Sequence, residues 1–210
     1  PLALESDEAF VLGCGGEQAV AATKSVMEQA VFYDVLFRTA EGGGELDLEA
    51  LADGLERTLD ADLPPSVADR LSRLTAAPTL YFAGRNDGVG EELALKTNEI
   101  TRKRSGFLEG TYALHGVEEV LTSDEVVVLV EPFEEEEARF EEVLVGEVGM
   151  EVVAIASRQT RFPTLVLPDP ADGGIQSDYI PYLQLAAGWN LLVAIGIAAG
   201  INVDKPERAR

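Results

Sequence analysis

The sequence predicts an α/β protein: a parallel, doubly wound sheet flanked by helices. Three observations carry that reading. Short runs rich in β-branched and aromatic residues, at 79–85, 125–130, 151–157 and 164–168, alternate with longer segments of helical periodicity. Glycines follow two of the apolar runs directly, GCGG at 13–16 and GRNDGVG at 84–90, as strand-to-helix turns require. The chain also carries a long apolar segment near its end, DYIPYLQLAAGWNLLVAIGIAAGI at 178–201, suited to a buried helix.

Taken in order, Ala9–Leu12 reads as a strand running into the first glycine turn. A helix is expected from about Gln18 to Arg38, with Val20, Thr23, Val26, Met27, Ala30, Val31, Val35 and Leu36 on an incomplete stripe. Three glycines in AEGGGE mark a joint, and two short amphipathic helices, Leu46–Leu59 and Pro65–Ala76, read as connectors. The strand–helix alternation then begins: TLYFAGR as strand, Val89–Lys103 as helix, SGFLEGTYAL as an irregular run over the top of the sheet. Glu125–Val130 follows as strand, Glu134–Val145 as helix, and EVVAIAS and TLVLP as two further strands. In the closing helix Gln184, Trp189 and Asn190 interrupt the apolar run, Asp178 suits an N-cap with Pro181 in the first turn, and Gly200 with Asn202 suits a stop. A core helix is the reading preferred to a membrane span.

Charge narrows the partners. With 38 acidic and 16 basic residues the chain carries a formal charge of −22, which repels a phosphate backbone and argues against nucleic acid. Only four of the bases are Lys, at 24, 96, 103 and 205, and the acids are spread along the whole chain. That dispersion suggests a salt-adapted, halophilic source more than a localised acidic docking surface. No basic segment followed by an apolar run opens the sequence, so no signal peptide is expected and a cytoplasmic location is. Cys14 is the single cysteine, which rules out an intrachain disulfide and reads as a small buried hydrophobe.

Two titratable residues stand out. Glu99 lies on the helix after TLYFAGR, toward the carboxyl end of the sheet where open α/β folds bind ligands. Lys96 and Lys103 stand three before and four after it, so a solvated ion-pair face accounts for Glu99 at least as well as chemistry does. His115 is the only histidine, suited to general acid–base work near neutral pH and equally to an ordinary capping role in a loop. Neither glycine run has dinucleotide or P-loop spacing. The acids of EPFEEEEARFEE complement the dipole at a helix start, with Phe133, Ala138, Phe140 and Val143 inward, and are not read as a cation site. No metal and no cofactor are expected.

GEQAVAATKS at 16–25, ALKTNEI at 94–100, ALHG at 113–116 and IPYLQLAAGWNLLVAIGIAAGINVDKP at 180–206 stand in an order that resembles the sugar isomerase (SIS) domain family. Within it they are similar to the isomerase half of glucosamine-fructose-6-phosphate aminotransferases. The resemblance implies a SIS-type, Rossmann-like three-layer sandwich. Family members carry two SIS domains in tandem, so residues 1–38 are expected to be the last strand and helix of a first domain. Residues 39–76 would then be a helical connector and 77–210 a complete second domain. The serine/threonine loop that holds the sugar phosphate belongs to the first domain, and its counterpart here reads EPFEEEE, without hydroxyls or glycine.

By the same resemblance the residue matching Glu99 moves a proton between C1 and C2 of an open-chain hexose 6-phosphate, and the one matching His115 opens the ring from a neighbouring subunit. Glu17, Val20 and Lys24 match positions lining the substrate pocket. Glutamine-dependent amination is not implied, because the sequence shows neither the glutaminase domain nor the tail lysine it needs. The implied activity is a phosphosugar isomerase or amino-sugar-phosphate deaminase acting as a homodimer on hexose or hexosamine 6-phosphate. A non-catalytic phosphosugar sensor or interaction subunit is the alternative.

Overall fold

A computed structural model describes residues 2–168, 177–205 and 208. A short helix α1 (Leu2–Glu5) precedes α2 (Lys24–Glu41), α3 (Leu48–Asp60), α4 (Pro65–Ala68) and α5 (Leu71–Ala76). Then come β1 (Thr79–Gly84), α6 (Val89–Lys96), β2 (Arg104–Glu109) and β3 (Val126–Val130). Finally α7 (Glu137–Phe140), β4 (Glu151–Ala156), β5 (Thr164–Val166) and α8 (Ile180–Ala198) complete the described elements.

The five strands form one parallel sheet in the order β2-β1-β3-β4-β5. Its buried strands follow from alternation with apolar residues on both sides. Val126, Val128 and Val130 of β3 face the core shared with α3, α5, α6 and α8, while Val127 and Leu129 face the core beneath α7. Two covered faces make three layers, which is why these strands read as unbroken apolar runs. The order reverses between β1 and β3: β1 leads through α6 to β2 on one side, and β3 through α7 to β4 on the other.

α8 is the axis of the helical layer. Among the described residues one segment, Ser177–Ala198, is long and apolar enough to cross a membrane, and 67% of its most apolar window is buried inside the protein. Gly188 lets α6 come close, since a Cβ there would lie 2.4 Å from a Leu93 methyl. Asn190 Nδ2 donates to the carbonyls of Thr58 (3.2 Å) and Leu59 (2.9 Å), tying α3 to α8. α3 and α5 therefore belong to the packed layer, with Leu51 and Leu74 buried.

Several sequence expectations are corrected. Residues 9–12 form no strand: Phe10 and Val11 are 73% and 88% exposed, and Phe10 leans on Phe32 with ring centroids 5.3 Å apart. A strand needs a ladder partner, and no strand of this sheet lies beside that segment. The helix expected from Gln18 starts at Lys24. The first half of the run expected to be irregular, 105–109, belongs to the edge strand β2, which pairs along its length with β1. Asp178 makes no capping bond; it pairs with Arg38 at 3.0 Å, and Ile180–Ala198 is entered through a 3-10 turn at Ser177–Tyr179. Cys14 is half-exposed, not buried. Of the residues expected to face inward from the acidic run, Phe140 is buried, Phe133 and Val143 are half-buried and Ala138 is exposed. The final proline of the DKP run, Pro206, lies outside the described residues.

A charge of −22 on such a small domain sets up self-repulsion that bases cannot neutralise, with 38 acids against 16. Screening shortens from about 10 Å at 0.1 M salt to about 3 Å at 1 M. The thermal midpoint is therefore expected to climb by several degrees between low-salt buffer and 2 M KCl, as calorimetry would record. A midpoint that stays flat or falls would remove the salt-adapted reading.

Candidate active site

Glu99 sits on a π-helical turn, Thr97–Thr101, that continues α6. Its origin is local. Thr97 Oγ donates to the Leu93 carbonyl (2.8 Å), Asn98 Nδ2 to that of Ala94 (3.1 Å) and Thr101 Oγ to that of Thr97 (2.6 Å). Polar side chains that take up carbonyls one turn back loosen the regular ladder, and such wide turns recur at functional sites. Arg102, at φ 60°, ends the turn, and β2 starts two residues on beside the start of β1, so Glu99 lies toward the amino ends of these strands and not toward the carboxyl end expected from sequence.

That turn brings Glu99 onto Lys96. The Lys96 side chain is 3% exposed, and its Nζ lies 3.0 Å from Glu99 Oε2 and 3.1 Å from Glu92 Oε1. One buried ammonium thus holds two carboxylates, of which Glu99 is 29% exposed and Glu92 17%. Burial pulls the Lys96 pKa down, but its hydrogen bonds to Glu99 and Glu92 outweigh burial and hold it above the ordinary ammonium value. Burial is the main cause that pushes Glu92 up; Lys96 opposes it and the neighbouring Glu99 charge adds to it. The expected ion-pair face is therefore half right. Lys96 pairs with Glu99 from inside the protein, whereas Lys103 turns away and donates to the carbonyls of Thr75 (2.6 Å) and Ala77 (2.7 Å).

Glu92 also lines a cleft of about 490 Å³ between α2, α6 and α8. Apolar groups, among them Val26, Ala30, Val89 and Leu185, share the walls with a polar cluster. In that cluster Arg38 Nε lies 2.7 Å from Asp34, its Nη1 lies 3.0 Å from Asp178, and Tyr182 Oη donates to Asp34 at 2.9 Å. Burial, then Asp34, pushes the Tyr182 phenol upward, so it stays a donor at every physiological pH.

None of the other sequence-predicted residues shares a described hydrogen bond or ion pair with Glu99. His115 is exposed at the end of a 3-10 turn, with Nε2 3.0 Å from Thr111 Oγ, and shares no hydrogen bond with Glu99. Val20 is 44% exposed. Glu17 and Lys24 meet at the start of α2: the Glu17 carboxylate accepts from the backbone N–H of Thr23 (2.8 Å) and Lys24 (2.7 Å) and from the Ser25 hydroxyl. Lys24 Nζ donates to the Gly16 carbonyl at 2.9 Å. In this arrangement Glu17 caps α2, whose own N-cap Thr23 makes no side-chain bond.

The Ser25 hydroxyl and then the Thr23 N–H hold the Glu17 carboxyl at about 2, against an ordinary 4.5. A depressed carboxyl contributes stability above its unfolded value and loses it as pH falls through the folded one. Glu17→Gln is accordingly expected to cost about 0.5–2 kcal/mol at neutral pH. The gap to wild type should close between pH 4.5 and about 2, as urea titrations at several pH values would show.

Lys96 as a buried partner and Glu92 as its second carboxylate were not foreseen. The i, i+4, i+7 spacing of Glu92, Lys96 and Glu99 was the available signal, since one helical face carries all three. Among the described residues no group of three His, Cys, Asp or Glu side chains is placed to hold a metal ion.

No family model matches the sequence, and no curated protein does. Solved structures do match. The C-terminal domain of glucosamine-fructose-6-phosphate aminotransferase from Francisella tularensis superposes with a TM-score of 0.75 at 20% identity, over 97% of this chain and 61% of that one. Tagatose-6-phosphate ketose/aldose isomerase from Escherichia coli gives 0.73 at 18% identity, over 99% and 61%. Glucosamine-6-phosphate deaminase from Thermotoga maritima gives 0.61 at 18% identity, over 93% and 58%. The chain has the SIS-type three-layer fold, and it spans about three fifths of the length of these structures.

Proposed function

We propose that this chain is part of a phosphosugar isomerase or amino-sugar-phosphate deaminase that moves a proton between C1 and C2 of a hexose 6-phosphate. The observation that carries the proposal is Glu99 anchored through one oxygen to a buried ammonium while the residue stays 29% exposed. A carboxylate so fixed can take the proton from C2 of the open-chain sugar and return it to C1 through an enediol, with Lys96 holding the countercharge throughout. The named activities of proteins sharing the fold, a ketose/aldose isomerase and a hexosamine-phosphate deaminase, are of this proton-shifting kind.

In this reading residues 1–38 close a first SIS domain, 39–76 connect, and 77–210 form the second. Exposure of Phe10, Val11, Tyr33 and Phe37 supports it, because that face is apolar without a cover. Glu17, Val20 and Lys24 line the sugar pocket once that face is covered. His115 opens the ring across a homodimer, a role its exposure favours. The protein is cytoplasmic and halophilic.

A second reading is a chain without chemistry, a phosphosugar sensor or an interaction subunit; the EPFEEEE loop, which offers a phosphate no hydroxyl, favours the interaction subunit. Solvent-deuterium exchange into hexose 6-phosphates by the natural full-length protein in molar KCl separates the two. Exchange that depends on Glu99 supports the enzyme, binding without exchange supports the sensor, and neither binding nor exchange overturns both of these and leaves the interaction subunit.

A further inference from the structure

In a parallel sheet ligands enter the crevice at the carboxyl ends of the strands, at the point where strand order reverses. Here that point lies between β1 and β3, and protein groups fill it. Gly84 ends β1 so near β3 that a Cβ would lie 2.3 Å from the Val130 carbonyl oxygen. One residue on, the Arg85 guanidinium sits 4.6 Å from the centroid of the Phe133 ring.

Between these contacts and β4, Glu131 takes a left-handed backbone with φ 46°. A residue with a Cβ holds that conformation only where its surroundings fix it. What fixes it is a set of converging donors. Glu131 Oε2 accepts from the Ser157 N–H (2.9 Å) and from Gln184 Nε2 (2.9 Å), and Oε1 accepts from the Ser157 hydroxyl (2.7 Å). Gln184 is 1% exposed, and its Oε1 has no hydrogen-bond partner, so the amide is committed to the carboxylate. Three neutral donors aimed at one carboxylate form the kind of receptor that a protein presents to a small anion.

We propose that the carboxyl ends of β3 and β4, one strand over from the reversal point, are a small-carboxylate receptor that the chain fills with its own Glu131. The group held there is a carboxylate on three neutral donors, which makes a small monoanionic carboxylate the ligand class. No atom of Glu99, Lys96 or Glu92 takes part, so this inference is independent of the isomerase reading.

Glu131→Gly removes the side chain and relieves the backbone, and the group removed has the size and charge of propionate. Sodium propionate is expected to raise the thermal midpoint of this variant saturably, by about 2–4 °C over equimolar sodium chloride. Wild type should show no such increment, and Glu131→Gly with Ser157→Ala should need about tenfold more propionate, one charge-assisted bond having gone. An equal response in wild type, or none in Glu131→Gly, overturns the proposal. If the variant does not fold unaided, refolding yield becomes the readout: a higher yield in propionate than in chloride supports the receptor, and equal yields overturn it.

Discussion

Glu99→Gln is expected to slow solvent-deuterium exchange into hexose 6-phosphate by about 10²–10⁴-fold, the usual contribution of a general base. Sugar phosphate binding should change only a few-fold. The amide keeps the size of the side chain and its contact with Lys96 but cannot accept the C2 proton. The fold has no reason to fail, because Lys96 retains Glu92 at 3.1 Å. Loss of exchange with an unchanged thermal midpoint would thus locate the defect in proton transfer. Glu99→Asp gives an independent reading: it keeps the base and withdraws it by one methylene, so exchange should fall to an intermediate rate. Exchange at the wild-type rate in Glu99→Gln would end the assignment of this residue.

The parts of the fold that were legible in sequence are those in which one physical signal dominates. β3 and β4 are continuous apolar runs because both faces are covered, and α8 is apolar all round because helices and sheet enclose it. β2 gave no such signal. RSGFLE pairs on one side only, its ends are exposed, and its glycine and charges resemble a loop. Residues 9–12 erred the other way, with strand composition and no strand beside them.

At the site, Glu99 was legible as a candidate but its surroundings were not. A lysine three residues from a glutamate looks the same whether the face is wet or dry, and only the packing of α6 against β2 and α8 decides that Lys96 is dry. The Glu17 cap escaped because the carboxylate reaches α2 from outside the helix, six to eight residues upstream of its partners. The left-handed Glu131 is set by contacts with Ser157 and Gln184, 26 and 53 residues away, and carries no local mark at all.

Lys96→Met is expected to be the most destabilising single change near the site, at about 3–5 kcal/mol near pH 7, because removing one partner from a buried ion pair strands the other. Here it strands two, leaving Glu92 and Glu99 to repel each other across an apolar side chain. The pH dependence identifies the cause. Lys96 has a raised pKa, so its contribution is fully present below the ordinary ammonium value of 10.5 and is lost only as pH rises beyond it. Glu92 is raised as well, so its ionisation already weakens the fold once pH passes the ordinary carboxyl value of 4.5. Without Lys96 that penalty grows. The stability gap between wild type and variant should therefore narrow as pH falls toward the ordinary carboxyl value of 4.5 and Glu92 takes up its proton, and narrow again in strong alkali as Lys96 loses its own. Adding Glu92→Gln and Glu99→Gln to Lys96→Met should recover much of the loss, since no charge is then left unpaired. A gap that ignores pH, or a triple variant as unstable as the single one, would mean that Lys96 matters through its packing and not through its charge.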